Sequence, residues 1–217
     1  MWDAAQELLP LLMQGAQVTL QVAFLSAIVA LLAAFTAGLS RLSKSPIVRH
    51  STMVYVEIFR GTSLLVQLFW LYFCLPFMGI ELPKLLAAVM ALGLNYGAYG
   101  SEIVRSSILA IPKGQREAAI ALNMTPVQTM IRIIIPQAFV RMLPPFGNLL
   151  IELVKGTSLV YFITLTDLTY QAMILRNNNY ELTPYIFLFL LFIYFVINFA
   201  ISFGVRVWER TITVGRT

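Results

Sequence analysis

The chain has 217 residues, of which 59% are hydrophobic and only 12% carry a charge. A soluble domain of this size would have about twice that charged fraction, so the composition excludes an ordinary globular domain and indicates an integral membrane protein. The single cysteine, Cys74, excludes an internal disulfide and a metal site built on cysteine.

Five apolar runs are long enough to cross a bilayer, for which about 20 apolar residues are needed. They lie at residues 18–39, 54–75, 85–103, 133–154 and 184–207. We therefore predict an all-α membrane protein with about five transmembrane helices, which form a single transmembrane domain over residues 1–217.

The basic residues predict how the chain is oriented in the membrane. With the amino terminus outside, ten of them fall on one side and three on the other. The ten are Arg41, Lys44, Arg49, Arg105, Lys113, Arg116, Arg132, Arg206, Arg210 and Arg216. The three are Lys84, Lys155 and Arg176. Because cytoplasmic loops carry the excess of Lys and Arg, the amino terminus is predicted outside and the carboxyl terminus in the cytoplasm.

Charged residues spaced three apart occur near the ends of the second and third spans. Glu57 and Arg60 share a helix face, as do Glu102 and Arg105. An unpaired charge at that depth is expensive, so both pairs are predicted to be structural ion pairs.

The third span also carries a stripe of small residues. Gly93, Gly97 and Gly100 follow one another at spacings of four and three, and so lie on one helix face. A stripe of this kind allows a neighbouring helix to approach closely.

Polar residues inside the third and fourth spans predict the lining of a solute pathway, because polar groups at membrane depth face a cavity or protein rather than lipid. The predicted pathway residues are Asn95, Tyr99, Asn148, Glu152 and Ser158.

Two features of the fourth span affect this prediction. Pro144 and Pro145 interrupt the helical hydrogen-bond ladder and are predicted to kink or unwind the helix. Glu152 precedes Lys155 by three residues, so a structural ion pair is as plausible for Glu152 as a binding role.

The loop at about residues 111–132 can form a short amphipathic helix outside the membrane. Its small apolar surface suits a protein partner better than lipid headgroups, because a membrane-surface helix would carry a basic face and bulky anchors. The residues assigned to this docking surface are Glu117, Ala118, Ala119, Leu122 and Asn123.

The same segment resembles the EAA loop of binding-protein-dependent ABC importer permeases, with Asn123 where that loop has Gly. The resemblance therefore implies a left-handed turn at Asn123, since Asn replaces Gly at such a position better than other residues do. The run from Phe59 to Gln67 resembles the Phe-Arg-Gly-Thr-Pro signature of polar amino acid permeases, with Ser63 replacing Pro. The third span resembles the family pattern Leu-x-x-x-Ala-Tyr-x-x-Glu-x-x-Arg. Around Pro144 the chain resembles Leu-Pro-Pro-x-x-Asn, and its Lys-Gly-Thr-Ser stretch is similar to Lys-Asp-Thr-Ser, with Gly156 in place of Asp.

The resemblance implies the fold of a type I ABC importer permease in the bacterial inner membrane. It implies a dimer of permease chains, two ATP-binding-cassette ATPase subunits docked on the 111–132 loop as a coupling helix, and an external solute-binding protein. The expected substrate is a polar amino acid. Because Thr166 to Thr169 stands where many relatives have Glu-Leu, the ectoine/hydroxyectoine branch is a further expectation.

The chain itself is not expected to be an enzyme. It contains no Gly-x-x-x-x-Gly-Lys-Ser/Thr motif, so ATP and Mg²⁺ are expected on the ATPase partner and no cofactor in this chain. A second class of function stays open at this point, namely a secondary transporter driven by an ion gradient. Such a transporter usually shows an inverted repeat and its own coupling carboxylates, and no repeat is visible in the five spans.

Overall fold

In the computed structural model, residues 2–213 are described, with side chains described from residue 8 to residue 211. This part of the chain is almost entirely helical and contains no β-strand. Its α-helices are α1 (Trp2–Ser40), α2 (Pro46–Gly61), α3 (Leu64–Phe69), α4 (Lys84–Leu109), α5 (Lys113–Ala121), α6 (Pro126–Thr129), α7 (Ile135–Gly156), α8 (Leu168–Asn178) and α9 (Thr183–Thr213). π-helical turns occupy Trp70–Cys74 and Met130–Ile134, and 3₁₀ turns occupy Leu75–Met78, Thr157–Ile163 and Tyr180–Leu182.

Three stretches of the described chain are long and apolar enough to cross a membrane, namely Leu8–Ser40, Pro126–Ile163 and Tyr180–Thr211. A fourth span is present if α2 and the helical stretch that follows it are counted together. The remaining predicted span corresponds to α4, which has 26 residues and therefore the required length, but is more polar. Of these 26 residues, 14 are buried, so α4 meets protein over most of its surface and does not need a lipid-compatible composition.

The contact between α1 and α4 forms the centre of the fold. A Cβ added to Gly97 would lie 2.6 Å from the Cβ of Ala33, and one added to Gly100 would lie 2.8 Å from the Cβ of Ala34. Gly93 faces Val29 in the same way, at 2.5 Å. The prediction that the glycine stripe admits a neighbouring helix is confirmed, and that neighbour is α1.

The second span is not the straight helix predicted over residues 54–75. The helical segments on either side of Thr62 and Ser63 are bent by 105° relative to each other. Thr62 and Ser63 both have extended backbone angles, which ends α2 at Gly61 and starts α3 at Leu64. The structure therefore places a break in the middle of this hydrophobic run.

The tandem prolines do not unwind the fourth span. Pro144 and Pro145 lie inside α7, which continues as an α-helix to Gly156. Proline fits the helical φ angle, so the helix continues through the pair although each ring removes a backbone donor and crowds the carbonyl four residues earlier. The irregular turns of this span lie at its two ends, at Met130–Ile134 and Thr157–Ile163.

The start of α8 is capped by Asp167 and hydrogen-bonded to α1 through Leu168. The Asp167 carboxylate accepts hydrogen bonds from the backbone N–H groups of Thr169 at 3.2 Å and Tyr170 at 2.9 Å, which caps α8. The hydroxyl of Thr19 in α1 accepts a hydrogen bond from the N–H of Leu168 at 3.0 Å. Because Asp167 is fully buried, desolvation raises the pKa of its carboxyl to about 6.

The α1–α4 contact predicts the effect of adding one methyl group. Gly97→Ala should lower the melting temperature of the purified membrane protein, because overpacking of this kind costs about 1–3 kcal/mol. Gly204→Ala in α9 is the matched control, since a Cβ there meets no atom within 4 Å and Ala favours a helix by about 1 kcal/mol over Gly. Equal melting temperatures for the two variants in a fluorescence-detected thermal shift assay would contradict the close approach at Gly97.

Candidate functional site

The break between α2 and α3 is held by side-chain amides. The carbonyl oxygen of Phe59 accepts hydrogen bonds from Nε2 of Gln67 at 3.0 Å and from Nδ2 of Asn95 at 2.9 Å. Asn95 also donates to Oε1 of Gln67 at 3.0 Å, and Gln67 donates to the hydroxyl of Thr62 at 2.7 Å. Carbonyls freed at the end of a helix inside a membrane need such donors, since no water is available in the bilayer core.

Asn95, predicted to line a pathway, is only 5% exposed, and its amide donors are used by this network. Its position shows that it supports the shape of the broken helix from α4. The assignment of Asn95 to a pathway stays a prediction, and the helix break that its amide donors support was not visible in the hydrophobic run.

Arg60 lies at the end of α2, next to the break, and faces α4. Its guanidinium carbon is 5.2 Å from the centre of the Tyr99 ring, and the Tyr99 hydroxyl donates to the Arg60 carbonyl at 3.4 Å. The predicted ion pair between Glu57 and Arg60 is absent from the described residues, and both side chains are exposed. A spacing of three allows such a pair but does not require it, and a cation–π contact with Tyr99 is made instead.

The second predicted ion pair is present. Arg105 contacts the carboxylate of Glu102 at 2.8 Å, and Arg41 at the end of α1 contacts the other carboxylate oxygen. Arg41 is a partner that the sequence did not reveal, because it is 61 residues away in the chain. Lys84 at the opposite end of α4 donates to the Thr164 hydroxyl. Arg41 and Arg105 thus lie at one end of the helical domain and Lys84 at the other.

Glu152 of α7 lies beside Tyr96 of α4. The Tyr96 hydroxyl donates to the Glu152 backbone carbonyl at 2.8 Å, and the Glu152 carboxylate is close enough to interact electrostatically with that hydroxyl. Glu152 is exposed and forms no ion pair with Lys155 in the described part of the chain. The structural alternative considered for Glu152 therefore has no support in this conformation.

The remaining predicted pathway residues lie elsewhere. Asn148 lines a polar cavity together with Ser202 and Arg206 of α9. The Ser158 hydroxyl donates to the carbonyl of Lys155, three residues earlier. Thus α4 brings Tyr99 to Arg60 and Tyr96 to Glu152, whereas Asn148 faces α9 and Ser158 bonds within its own helical segment.

The loop after α4 has a well-defined turn. The N–H of Met124 donates to the Ala119 carbonyl at 3.0 Å and the N–H of Asn123 donates to the Ile120 carbonyl at 2.9 Å. These two bonds form a Schellman motif, which places its C′ residue in the left-handed region. Asn123 is that residue, with φ of 55°. The prediction of a left-handed conformation at Asn123 is confirmed.

A second helix start follows at once. The Thr125 hydroxyl accepts from the N–H of Gln128, and the Gln128 side chain accepts from the N–H of Thr125, which is a capping box. The loop is also attached to α7, because Gln137 donates to the side chain of Gln115 at 3.2 Å. We call α5, this turn and α6 the elbow.

The elbow presents apolar side chains to solvent. Ile120 is 69% exposed, Leu122 is 73% exposed and Val127 is 66% exposed. Ala118 is exposed as well, but Ala119 is fully buried within the chain. The assignment of Ala119 to a docking surface is not supported by its burial, because consecutive residues of a helix point in different directions and Ala119 points into the chain. Glu117 is exposed.

A helical domain with several membrane-crossing segments, a broken span and an exposed apolar elbow belongs to the class of multi-pass membrane transport components. Residues 9–214 match the family described as "Binding-protein-dependent transport system inner membrane component". The chain belongs to this family and is a multi-pass protein of the inner membrane.

Several curated relatives cover nearly the whole chain. A probable amino-acid ABC transporter permease protein, y4tF of Sinorhizobium fredii, is 45% identical over 92% of this chain and 86% of its own length. The L-cystine transport system permease protein TcyB of Bacillus subtilis is 40% identical over 96% and 90%. The glutamine transport system permease protein GlnP of Escherichia coli is 35% identical over 98% of both chains.

Two solved structures share the fold. A chain from the crystal structure of an amino acid ABC transporter with histidines has a TM-score of 0.90 at 35% identity, covering 97% of this chain and 98% of that one. A chain of the MetNI methionine ABC transporter in an inward-facing conformation has a TM-score of 0.77 at 22% identity, covering 94% and 96%. The second likeness shows the fold alone.

The Schellman motif predicts which substitutions the elbow tolerates. Asn123→Gly should keep the fold of the elbow, because glycine adopts a positive φ without steric penalty. Asn123→Val should destabilise it by about 1–3 kcal/mol, because a β-branched residue is strained there. The readout is the yield of permease–ATPase complex in co-purification from membranes. Equal yields for the two variants would contradict a functional need for this turn.

Proposed function

We propose that the chain is the transmembrane subunit of an ATP-driven importer and forms the translocation path for a polar amino acid. The observation that carries the proposal is the similarity, over more than nine tenths of the chain, to permeases named for amino-acid, cystine and glutamine transport. An amino-acid-like compatible solute such as ectoine is the alternative substrate within the same mechanism. A soluble binding protein delivers the substrate.

ATP hydrolysis takes place on a separate ATP-binding-cassette subunit, and the elbow is the coupling surface for it. This proposal is supported by the exposed apolar side chains of Ile120, Leu122 and Val127, which would be covered by a partner. The elbow can pass movement of a partner to the membrane domain. The Schellman motif and the capping box fix its shape, and Gln115 attaches it to α7. Movement of the ATPase would therefore reach α7, the helix that carries Glu152.

A second permease chain, identical or related, completes the path. α2 supports this proposal because Val56 is its only buried residue, while Met53, Val54 and Ile58 are exposed. The orientation proposed from the loop charges places the elbow in the cytoplasm. Lys84 lies at the opposite end and would be on the side where the binding protein arrives. Alternating access then exposes the path between the two permease chains to each side in turn.

The decisive experiment is uptake into proteoliposomes that contain the permease and its ATPase. Radiolabelled L-glutamine, L-cystine and ectoine are offered together with the binding protein from the same transport system. We expect uptake of an amino acid that requires both internal ATP and the binding protein, with no effect of dissipating proton and sodium gradients. Uptake driven by an ion gradient without ATP would instead establish the secondary transporter, and ATP-driven uptake of ectoine alone would change the substrate.

Glu152 is proposed to meet the cationic amino group of the substrate in the path. Glu152→Gln removes the charge and keeps the size, so uptake by the reconstituted complex should fall at least tenfold, while assembly and basal ATPase activity persist. Lys155→Met is the matched control, since Lys155 forms no ion pair with Glu152 in the described residues. Full uptake by Glu152→Gln would remove Glu152 from the path, and equal losses of stability in both variants would restore the structural alternative.

A further inference from the structure

The position of Arg60 requires an explanation that the fold alone does not provide. Arg60 packs on Tyr99, which follows the first residue of α4, Lys84, by 15 positions. That distance is about 22 Å along a helix that rises 1.5 Å per residue. The hydrocarbon core of a bilayer is about 30 Å thick, so a core that begins at Lys84 would contain Arg60 in the part nearer to Arg105.

No carboxylate among the described residues pairs with this guanidinium. The two ion pairs of that part of the chain both involve Glu102, and Glu57 is not joined to Arg60. Arg60 is nevertheless exposed on the surface of the single chain. A charged side chain at this depth faces a water-filled cavity or a protein partner rather than lipid. Its cation–π contact with Tyr99 orients it but leaves its positive charge uncompensated.

Glu152 of α7, which carries the opposite charge, also contacts α4. Tyr96 contacts Glu152 and Tyr99 contacts Arg60, and the two tyrosines lie three residues apart on α4. Residues three apart on a helix are surface neighbours. α4 therefore contacts two helices that carry exposed charges of opposite sign, α2 with Arg60 and α7 with Glu152. An amino acid carries the complementary pair of charges, a carboxylate and an ammonium group.

We propose that Arg60 is the residue of the translocation path that recognises the α-carboxylate of the substrate. This inference rests on the proposed function and deepens it, since it assigns the anionic end of the substrate to α2. The planar guanidinium suits a carboxylate because it can donate two parallel hydrogen bonds. Asn95 and Gln67 are positioning residues here, because their hydrogen bonds to the Phe59 carbonyl hold the end of α2 that carries Arg60.

The test restores the charge chemically. In a Cys74→Ser background, which removes the only native cysteine, Arg60→Cys is reconstituted with its ATPase and binding protein. Uptake should fall at least tenfold and should recover after treatment with an aminoethyl methanethiosulfonate, which adds a cation. The neutral methyl reagent and the anionic sulfonatoethyl reagent should not restore it. Arg49→Cys, an exposed cation near the start of α2, is the matched control and should keep its uptake throughout.

Protection experiments identify the group that Arg60 recognises. L-Glutamine should slow the labelling of the Arg60→Cys complex at least tenfold relative to its α-amide, because only the free acid offers a carboxylate. L-Cystine and its diamide replace this pair when cystine is the amino acid that the wild-type complex takes up. Arg60→Lys, which keeps the cation, should retain more uptake than Arg60→Gln.

Several results would overturn the assignment. Unimpaired uptake by Arg60→Cys, or absence of labelling, would show that Arg60 does not line the path. Equal rescue by the neutral and cationic reagents, or equal defects in Arg60→Lys and Arg60→Gln, would show that its charge is not needed. Equal protection by acid and amide would show that it does not recognise the carboxylate. The proposed function fails separately, when the wild-type complex shows no ATP-dependent uptake of an amino acid. A role of Arg60 confined to folding would lower the melting temperature of Arg60→Lys and Arg60→Gln without changing the preference for a free carboxylate.

Discussion

The structure depends on one constraint, the need to satisfy backbone carbonyls where a helix is broken inside a membrane. α2 ends at Gly61, and the freed carbonyl of Phe59 receives two side-chain amide donors. In hydrocarbon an unsatisfied carbonyl costs several kcal/mol. This cost is a large fraction of the free energy of unfolding of a small domain. The amides of Gln67 and Asn95 therefore make the 105° bend possible. The bend in turn places Arg60 against α4.

The close contact of α1 and α4 supplies the rigid support for this arrangement. Glycines let the two backbones approach, and the Glu102 carboxylate joins Arg105 to Arg41 at one end of the pair. Since 14 of the 26 residues of α4 are buried, this helix can carry a mid-span amide, Asn95, that a lipid-facing helix would not tolerate. α9 is the opposite case. Only 11% of its most apolar stretch is buried, and its composition is correspondingly aromatic and apolar.

The elbow illustrates how local hydrogen bonds can fix a surface that tertiary packing leaves open. Its two motifs use neighbouring residues only, so the elbow keeps its shape with few contacts to the rest of the chain. Apolar residues such as Ile120 and Leu122 thereby stay exposed instead of collapsing onto the membrane domain. Ala118 is exposed and Ala119 is buried because consecutive residues of a helix point in different directions.

Features that depend on spacing along the chain were predictable from the sequence alone. These include three of the five membrane-crossing runs, the glycine stripe of α4, the pair of Glu102 with Arg105 and the left-handed Asn123, because hydrophobic length, helical period and backbone sterics act locally. The tertiary structure decided which group stands opposite each face. In the tertiary structure Arg60 contacts the Tyr99 ring rather than Glu57, and Asn95 donates to a carbonyl at a helix break. Ala119 is buried, and α7 continues through Pro144. Helical spacing shows which residues share a face, but only the packing of distant segments determines what that face meets.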